Sequence, residues 1–178
     1  MGHKFVYDHL VSKFGICYIS TTNKIEPPKS IFSFEEKKIL LIALGIPANR
    51  IIETKNPYLN TDPALKRITK DNDVLIFGVG EKDMSEDPRF TFKPLKSGKA
   101  SYYQRYEDGI ELDTCVNHAY IDVVPTKSFT LLGKPMKSAS ELRELYKMSN
   151  DSKRIKIIKD LYGTYDEKVK NILDEKLG

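Results

Sequence analysis

The run Lys137-Ser138-Ala139-Ser140-Glu141-Leu142-Arg143 holds two hydroxyls, an acid placed as a capping residue, and an arginine. Ser138 suits an N-cap, and Glu141 completes the Ser-x-x-Glu capping box, so the run predicts a helix start. Such a start leaves backbone N–H groups unsatisfied at the positive end of the helix dipole, where phosphates bind. Arg143 lies roughly one turn inside and carries a planar fork that fits a phosphate edge. The chemistry on offer is anion capture, with Ser138, Ser140 and Arg143 as donors. An ordinary capped helix with its Arg in water fits the same residues, and capping boxes are common.

A second helix start stands at the beginning of the chain. Gly2-His3-Lys4-Phe5-Val6-Tyr7-Asp8-His9-Leu10-Val11 sets a glycine and a histidine at a helix N-terminus. Together the two stretches resemble the nucleotidyltransferase superfamily. Its adenylyl- and cytidylyltransferases carry a histidine-x-glycine-histidine loop and a late Ser-x-Thr-x-x-Arg-type motif. Gly2-His3 is similar to the second half of the first motif. Ser138 to Arg143 is similar to the second, with Ser140 in place of Thr. The likeness is closest to small phage-type members and covers most of the chain.

That resemblance implies transfer of AMP or CMP from ATP or CTP to an acceptor, with release of pyrophosphate. His3 would donate to the α-phosphate as charge grows in the transition state. Ser138 and Ser140 would hold the β- and γ-phosphates, with Arg143 neutralising them. Little proton chemistry is needed, so catalysis is positioning and charge stabilisation. A magnesium ion is expected to arrive with the nucleotide, held by phosphates and water; no protein metal site is expected. Nothing in the sequence chooses ATP over CTP or names the acceptor.

These residues need elements to position them. The 178 residues are enough for one domain with a sizeable core, and a net charge of +4 suits an anionic small molecule without demanding a nucleic acid. Two unpatterned cysteines, Cys17 and Cys115, fit a reducing compartment and no zinc site. No apolar run reaches membrane-spanning length and no signal-peptide pattern is present, so a cytoplasmic protein with no membrane partner is expected.

Residues 3–14 predict an amphipathic helix, Gly15 its cap, and Ile16-Cys17-Tyr18-Ile19 a short strand. The hydroxyl-rich Ser20-Thr21-Thr22-Asn23 then stands where open α/β sheets bind ligands. Ser33 and Glu36 predict a second capping box. The family often pairs such a start with a basic loop, which would bring Lys24 and Lys29 toward the triphosphate; solvated loop lysines fit equally. A strand at 50–54, a helix opened by Asp62-Pro63 and a buried strand at 73–78 continue the alternation. The pattern predicts an α/β, Rossmann-like, doubly wound and mainly parallel sheet with C-terminal helices.

After that strand, Gly78-Val79-Gly80-Glu81-Lys82-Asp83 reads as a turn. The resemblance carries over Gly78, Gly80 and Asp83 as nucleotide-supporting positions, and a plain tight turn is the alternative. Residues 84–118, with Pro88, Pro94 and several tyrosines, read as irregular. Tyr102, Tyr103, Arg105 and Tyr106 suggest an acceptor surface, or else aromatics pinning a loop. His118 to Pro125 reads as the last strand, and helices near 152–161 and 164–176 finish the chain. One domain spans 1–178: a nucleotide-binding part at 1–80, an insertion at 81–118, and the last strand, motif helix and tail at 119–178.

The family's first strand and the first half of its histidine motif would precede Met1. The expectation is a sheet without its first central strand, with an upstream start favoured over a strand from another chain or an inactive remnant. A non-catalytic nucleotide- or phosphate-binding module is the competing function. Nucleic-acid binding is disfavoured by the even mixing of charge in residues 150–178.

Overall fold

Local capping chemistry fixes most helix ends in the computed structural model, which describes residues 2–85, 90–136 and 138–178. Helix α1 (Gly2–Phe14) stops at Gly15, whose φ of +81° disfavours a side chain and whose N–H donates to Val11 O at 2.8 Å. Strand β1 (Ile19–Thr21) follows. Helix α2 (Phe34–Ala43) opens on the reciprocal box, Glu36 N–H to Ser33 Oγ at 3.3 Å and Ser33 N–H to Glu36 Oε2 at 2.7 Å. A 3₁₀ turn at Ala48–Arg50 leads into β2 (Ile51–Glu53). Asp62 caps α3 (Pro63–Ile68), with Pro63 in the first position where its missing N–H costs nothing. Strand β3 (Leu75–Gly80) runs directly into the short α4 (Glu81–Ser85). Then come β4 (Tyr103–Arg105), β5 (Ala119–Val124), β6 (Phe129–Leu131) and β7 (Lys134–Met136). Helices α5 (Ala139–Lys147), α6 (Asp151–Tyr162) and α7 (Glu167–Leu177) close the chain. The fold is mixed α/β with parallel strand pairing.

The chain forms two compact units. One comprises Met1–Phe5, Tyr18–Glu53 and Lys127–Gly178; the other comprises Val6–Cys17 and Thr54–Thr126. In the first, β1 and β2 pair in parallel from Ile19↔Ile51 to Thr21↔Glu53, and β6 and β7 form an antiparallel hairpin. Its core gathers Leu131, Tyr146, Ile157, Ile158, Val169 and Leu173 from the hairpin and α5 to α7. Tyr146, nearly sealed from solvent, donates its hydroxyl to Asp174 Oδ1 at 2.9 Å, and Arg154 and Lys170 pair with the same carboxylate. Burial and that carboxylate push the Tyr146 phenol far above its usual range.

In the second unit β3, β5 and β4 make a parallel sheet in that order, with β5 central. Alternation sends Phe77, Val79 and Ile121 to one face, where they meet Phe90 and Tyr103. Gly78 and its register partner Asp122 take the other face. A Cβ on Gly78 would stand 2.5 Å from Leu10 Cδ1, so the missing side chain is what lets α1 lie close on β3.

Four sequence expectations change here. The apolar run at 16–19 gives way to β1 at Ile19–Thr21, because pairing with β2 sets the strand and Ile16 is left 66 % exposed. Gly78 and Gly80 lie inside β3 rather than in a turn after it, and a helix does follow. The stretch expected to be irregular contains β4, which needs β5 as a partner and shows no local signal of its own. Strand β5 is not the last, since β6 and β7 follow it. Pro88 and Lys137 lie outside the described residues.

Candidate functional site

Helix α5 begins as its residues require. Ser138 has extended backbone, φ −146° and ψ 158°, and its Oγ accepts the Glu141 N–H at 3.2 Å. A hydroxyl accepting in this way still has its own proton to donate. Ser140 is exposed in the first turn. Arg143, half-buried one turn on, reaches residues more than a hundred positions away: Nη1 donates to Pro28 O at 2.7 Å and Nη2 to Lys29 O at 3.5 Å.

The segment so reached is the basic loop. Glu26 and Ser30 form an isolated antiparallel bridge, with N–H to O distances of 2.6 and 2.9 Å, and Ser30 Oγ donates to Lys24 O at 2.7 Å. Lys24 pairs with Glu26 at 2.6 Å in full view of solvent, and Lys29 is exposed. The hydroxyl-rich stretch before the loop is tied to α2: Asn23 Oδ1 accepts the Phe34 N–H at 2.8 Å, and Thr22 O accepts from Lys37 Nζ at 2.7 Å. Burial lowers the pKa of the Lys37 ammonium below its ordinary value. Gly2 and His3 are exposed in the first turn of α1 and belong to the same unit as α5 and the loop.

The other expected site residues belong to the second unit. Gly78 faces α1 within β3, and Asp83 is exposed on α4. Tyr102 donates its hydroxyl to Cys115 O at 2.6 Å, and Tyr103 donates to Tyr58 O while packing edge-on against Phe90. Burial raises both phenols above their usual pKa. Arg105 is exposed on β4. The structure therefore joins Arg143 of α5 to the backbone of Pro28 and Lys29, and it engages both tyrosine hydroxyls with backbone carbonyls.

One cluster escaped the sequence reading. Asp122, buried on β5, accepts from His9 Nε2 at 3.1 Å and lies 3.5 Å from Lys13 Nζ. Lys13 also pairs with Asp108 at 3.2 Å and sits over the Tyr106 ring, 4.4 Å from its centroid. Burial raises the Tyr106 phenol, and the Lys13 hydrogen bond lowers the Asp108 carboxyl. The signal was available: an acid inside the apolar run of β5 needs a partner, and His9 and Lys13 are four apart on one helix.

The architecture and these contacts define a mixed α/β chain whose late capped helix is tied to a basic loop. Among the described residues no helix is long and apolar enough to cross a membrane, and no group of three or more His, Cys, Asp or Glu converges as a metal site. Set against family models, curated proteins and solved structures, the chain matches none.

Proposed function

We propose that this chain is a nucleotidyltransferase on a Rossmann-like α/β fold, moving AMP or CMP from the magnesium complex of ATP or CTP to an acceptor and releasing pyrophosphate. The observation that carries the reading is the Arg143 fork on the carbonyls of Pro28 and Lys29. Two segments singled out separately for phosphate chemistry, the loop with Lys24 and Lys29 and the helix with Ser138 and Ser140, meet at that side chain. The motif resemblance supplies the reaction. Ser138, Ser140 and the first amides of α5 would hold the β- and γ-phosphates, and Arg143 and the loop lysines would offset their charge. His3 would donate to the α-phosphate oxygen as negative charge builds there. The magnesium ion enters with the triphosphate as part of the substrate. Both cysteines are free, as they would be in a reducing cytoplasm.

The test is calorimetric titration of ATP and CTP, each with magnesium, into the protein and into Arg143→Ala. One nucleotide should bind, and the variant should lose about tenfold to a hundredfold in affinity, the range for hydrogen bonds to a charged group. Pyrophosphate release then reports turnover. Binding without release supports a non-catalytic nucleotide-binding module instead, and equal binding by the variant removes Arg143 from the site.

A further inference from the structure

We infer that the outer face of α6 is a docking surface for the phosphate backbone of a nucleic-acid duplex, carried by Lys153, Lys156 and Lys159. In sequence the charges of residues 150–178 read as evenly mixed; in the structure they are sorted. Three of the carboxylates go to other cations: Asp151 to Lys170 at 2.7 Å, Asp174 to Lys170 at 2.6 Å and Arg154 at 2.9 Å, and Glu175 to Lys176 at 2.9 Å. Asp166 and Glu167 belong to the start of α7, where Asp166 is the cap. Among the described residues Lys153, Lys156 and Lys159 are all exposed, and none of them has a carboxylate within ion-pair distance. The three lysines line one open groove of about 510 Å³ together with Leu132 and Asp160. Asp160 is committed as well, since its Oδ2 accepts the Leu132 N–H at 2.9 Å and ties the turn between β6 and β7 to α6. Three lysines against one carboxylate leave the groove positive. The surface stands whether or not α5 holds a nucleotide.

The residue types choose the occupant. Successive lysines are three residues apart, so the stripe advances about 4.5 Å per step and about 9 Å in all. A duplex presents one phosphate charge per about 1.7 Å of its axis, dense enough to meet each of them. A membrane surface needs an apolar face beside the charges, and Ile157, Ile158 and Leu161 of α6 are buried in the core. Protein interfaces favour arginine and aromatic rings and are poor in lysine. Single-strand sites stack bases on aromatic rings, and among the described residues that line the groove none is aromatic. Ammonium groups on phosphates read no base, so the binding is independent of sequence and steep in salt.

Fluorescence anisotropy of a labelled DNA duplex, titrated with the protein, tests this. Three contacts predict a slope of log K against log salt of about −2.7, hence about fortyfold weaker binding at about 200 mM salt than at about 50 mM. Lys156→Gln should reduce the slope by about 1. Combining Lys153→Gln, Lys156→Gln and Lys159→Gln should lower the affinity at the lower salt by at least about tenfold. Glutamine matches lysine in helix propensity, so the urea midpoint of this variant should equal that of the native protein. The same charge removed by Gln at Lys93, Lys96 and Lys99, exposed in the second unit, should leave the affinity within about threefold. Equal losses in the two triple variants would show a general effect of charge and overturn the surface. So would native affinity in the α6 variant, or absence of duplex binding at the lower salt. Tighter binding of a single strand or of polyglutamate than of the duplex would overturn the assignment of the occupant.

Discussion

A methyl group added to Gly78 would stand 2.5 Å from Leu10 Cδ1 and 3.0 Å from Val6 Cγ1, inside contact distance of both. Leu10 is buried, so its side chain has little room to withdraw. Gly78→Ala should therefore destabilise the protein by about 1–2 kcal/mol, as overpacking does. Gly80→Ala, whose nearest non-adjacent atom is Asp83 Oδ2 at an ordinary 3.5 Å, should cost less. Urea midpoints decide it, and combining Gly78→Ala with Leu10→Ala should cost less than the sum of the two single changes, because they share one contact. Equal midpoints for the two glycine variants would contradict the close approach of α1 to β3. The reason for Gly78 was invisible in sequence, where a pair of glycines after an apolar run reads as a turn. Asp122 also went unread: an acid inside an apolar strand needs a partner, but only the fold shows that His9 and Lys13 answer it.

Among the elements, α7 carries the clearest electrostatic signature. Burial would raise the Asp174 carboxyl, but the hydrogen bonds from Lys170, Tyr146 and Arg154 outweigh it and hold its pKa below the ordinary value. A carboxyl depressed in the folded state stabilises fully above its unfolded pKa of about 3.9 and loses that contribution as pH falls through the lower folded value. Asp174→Asn should be less stable by about 1–3 kcal/mol at neutral pH. The gap from the native protein should narrow below about pH 4, where native Asp174 also takes up its proton. Urea midpoints taken across pH measure it; a gap constant from pH 7 to pH 2 would show that charge is not the cause. Asp62 adds to the same acid limb, since its carboxylate accepts from the Asn56, Ala64 and Lys55 amides and is held low by them. Elements with a local capping signal were legible: Ser33 with Glu36 and Asp62 with Pro63 cap as their sequences imply, and Ser138 supplies one half of its expected box, its Oγ on the Glu141 N–H. Among the three-residue strands β2 was legible as the run at 50–54 and β1 only in a shifted position, whereas β4, β6 and β7 were not, since they owe their existence to a partner distant in sequence or to a hairpin turn.

For the molecule as a whole, the two units differ in how much core they own. Among the described residues the first unit holds twelve buried apolar side chains, eight of them in the cluster spanning the hairpin and α5 to α7, against eight in the second unit. Amides of α6 and α7, Ile157 and Val169 above all, should accordingly exchange slowest in native-state hydrogen exchange, and those of β5 faster. Slowest exchange at Ile121 would reverse that ranking. The α/β class was legible from the alternation of apolar runs and capped helices. The division was not, because no Pro- or Gly-rich linker marks it and α1 itself has residues in both units. The discontinuous make-up of the units also sets an order in time. Every residue of the second unit has been synthesised once Thr126 is in place, whereas the first unit still awaits Lys127–Gly178. At about 5–20 residues per second, translation of that last stretch takes several seconds. During that interval every residue of the β3–β5–β4 sheet has already been joined to the chain, while α2 still lacks α7, the late helix it packs against.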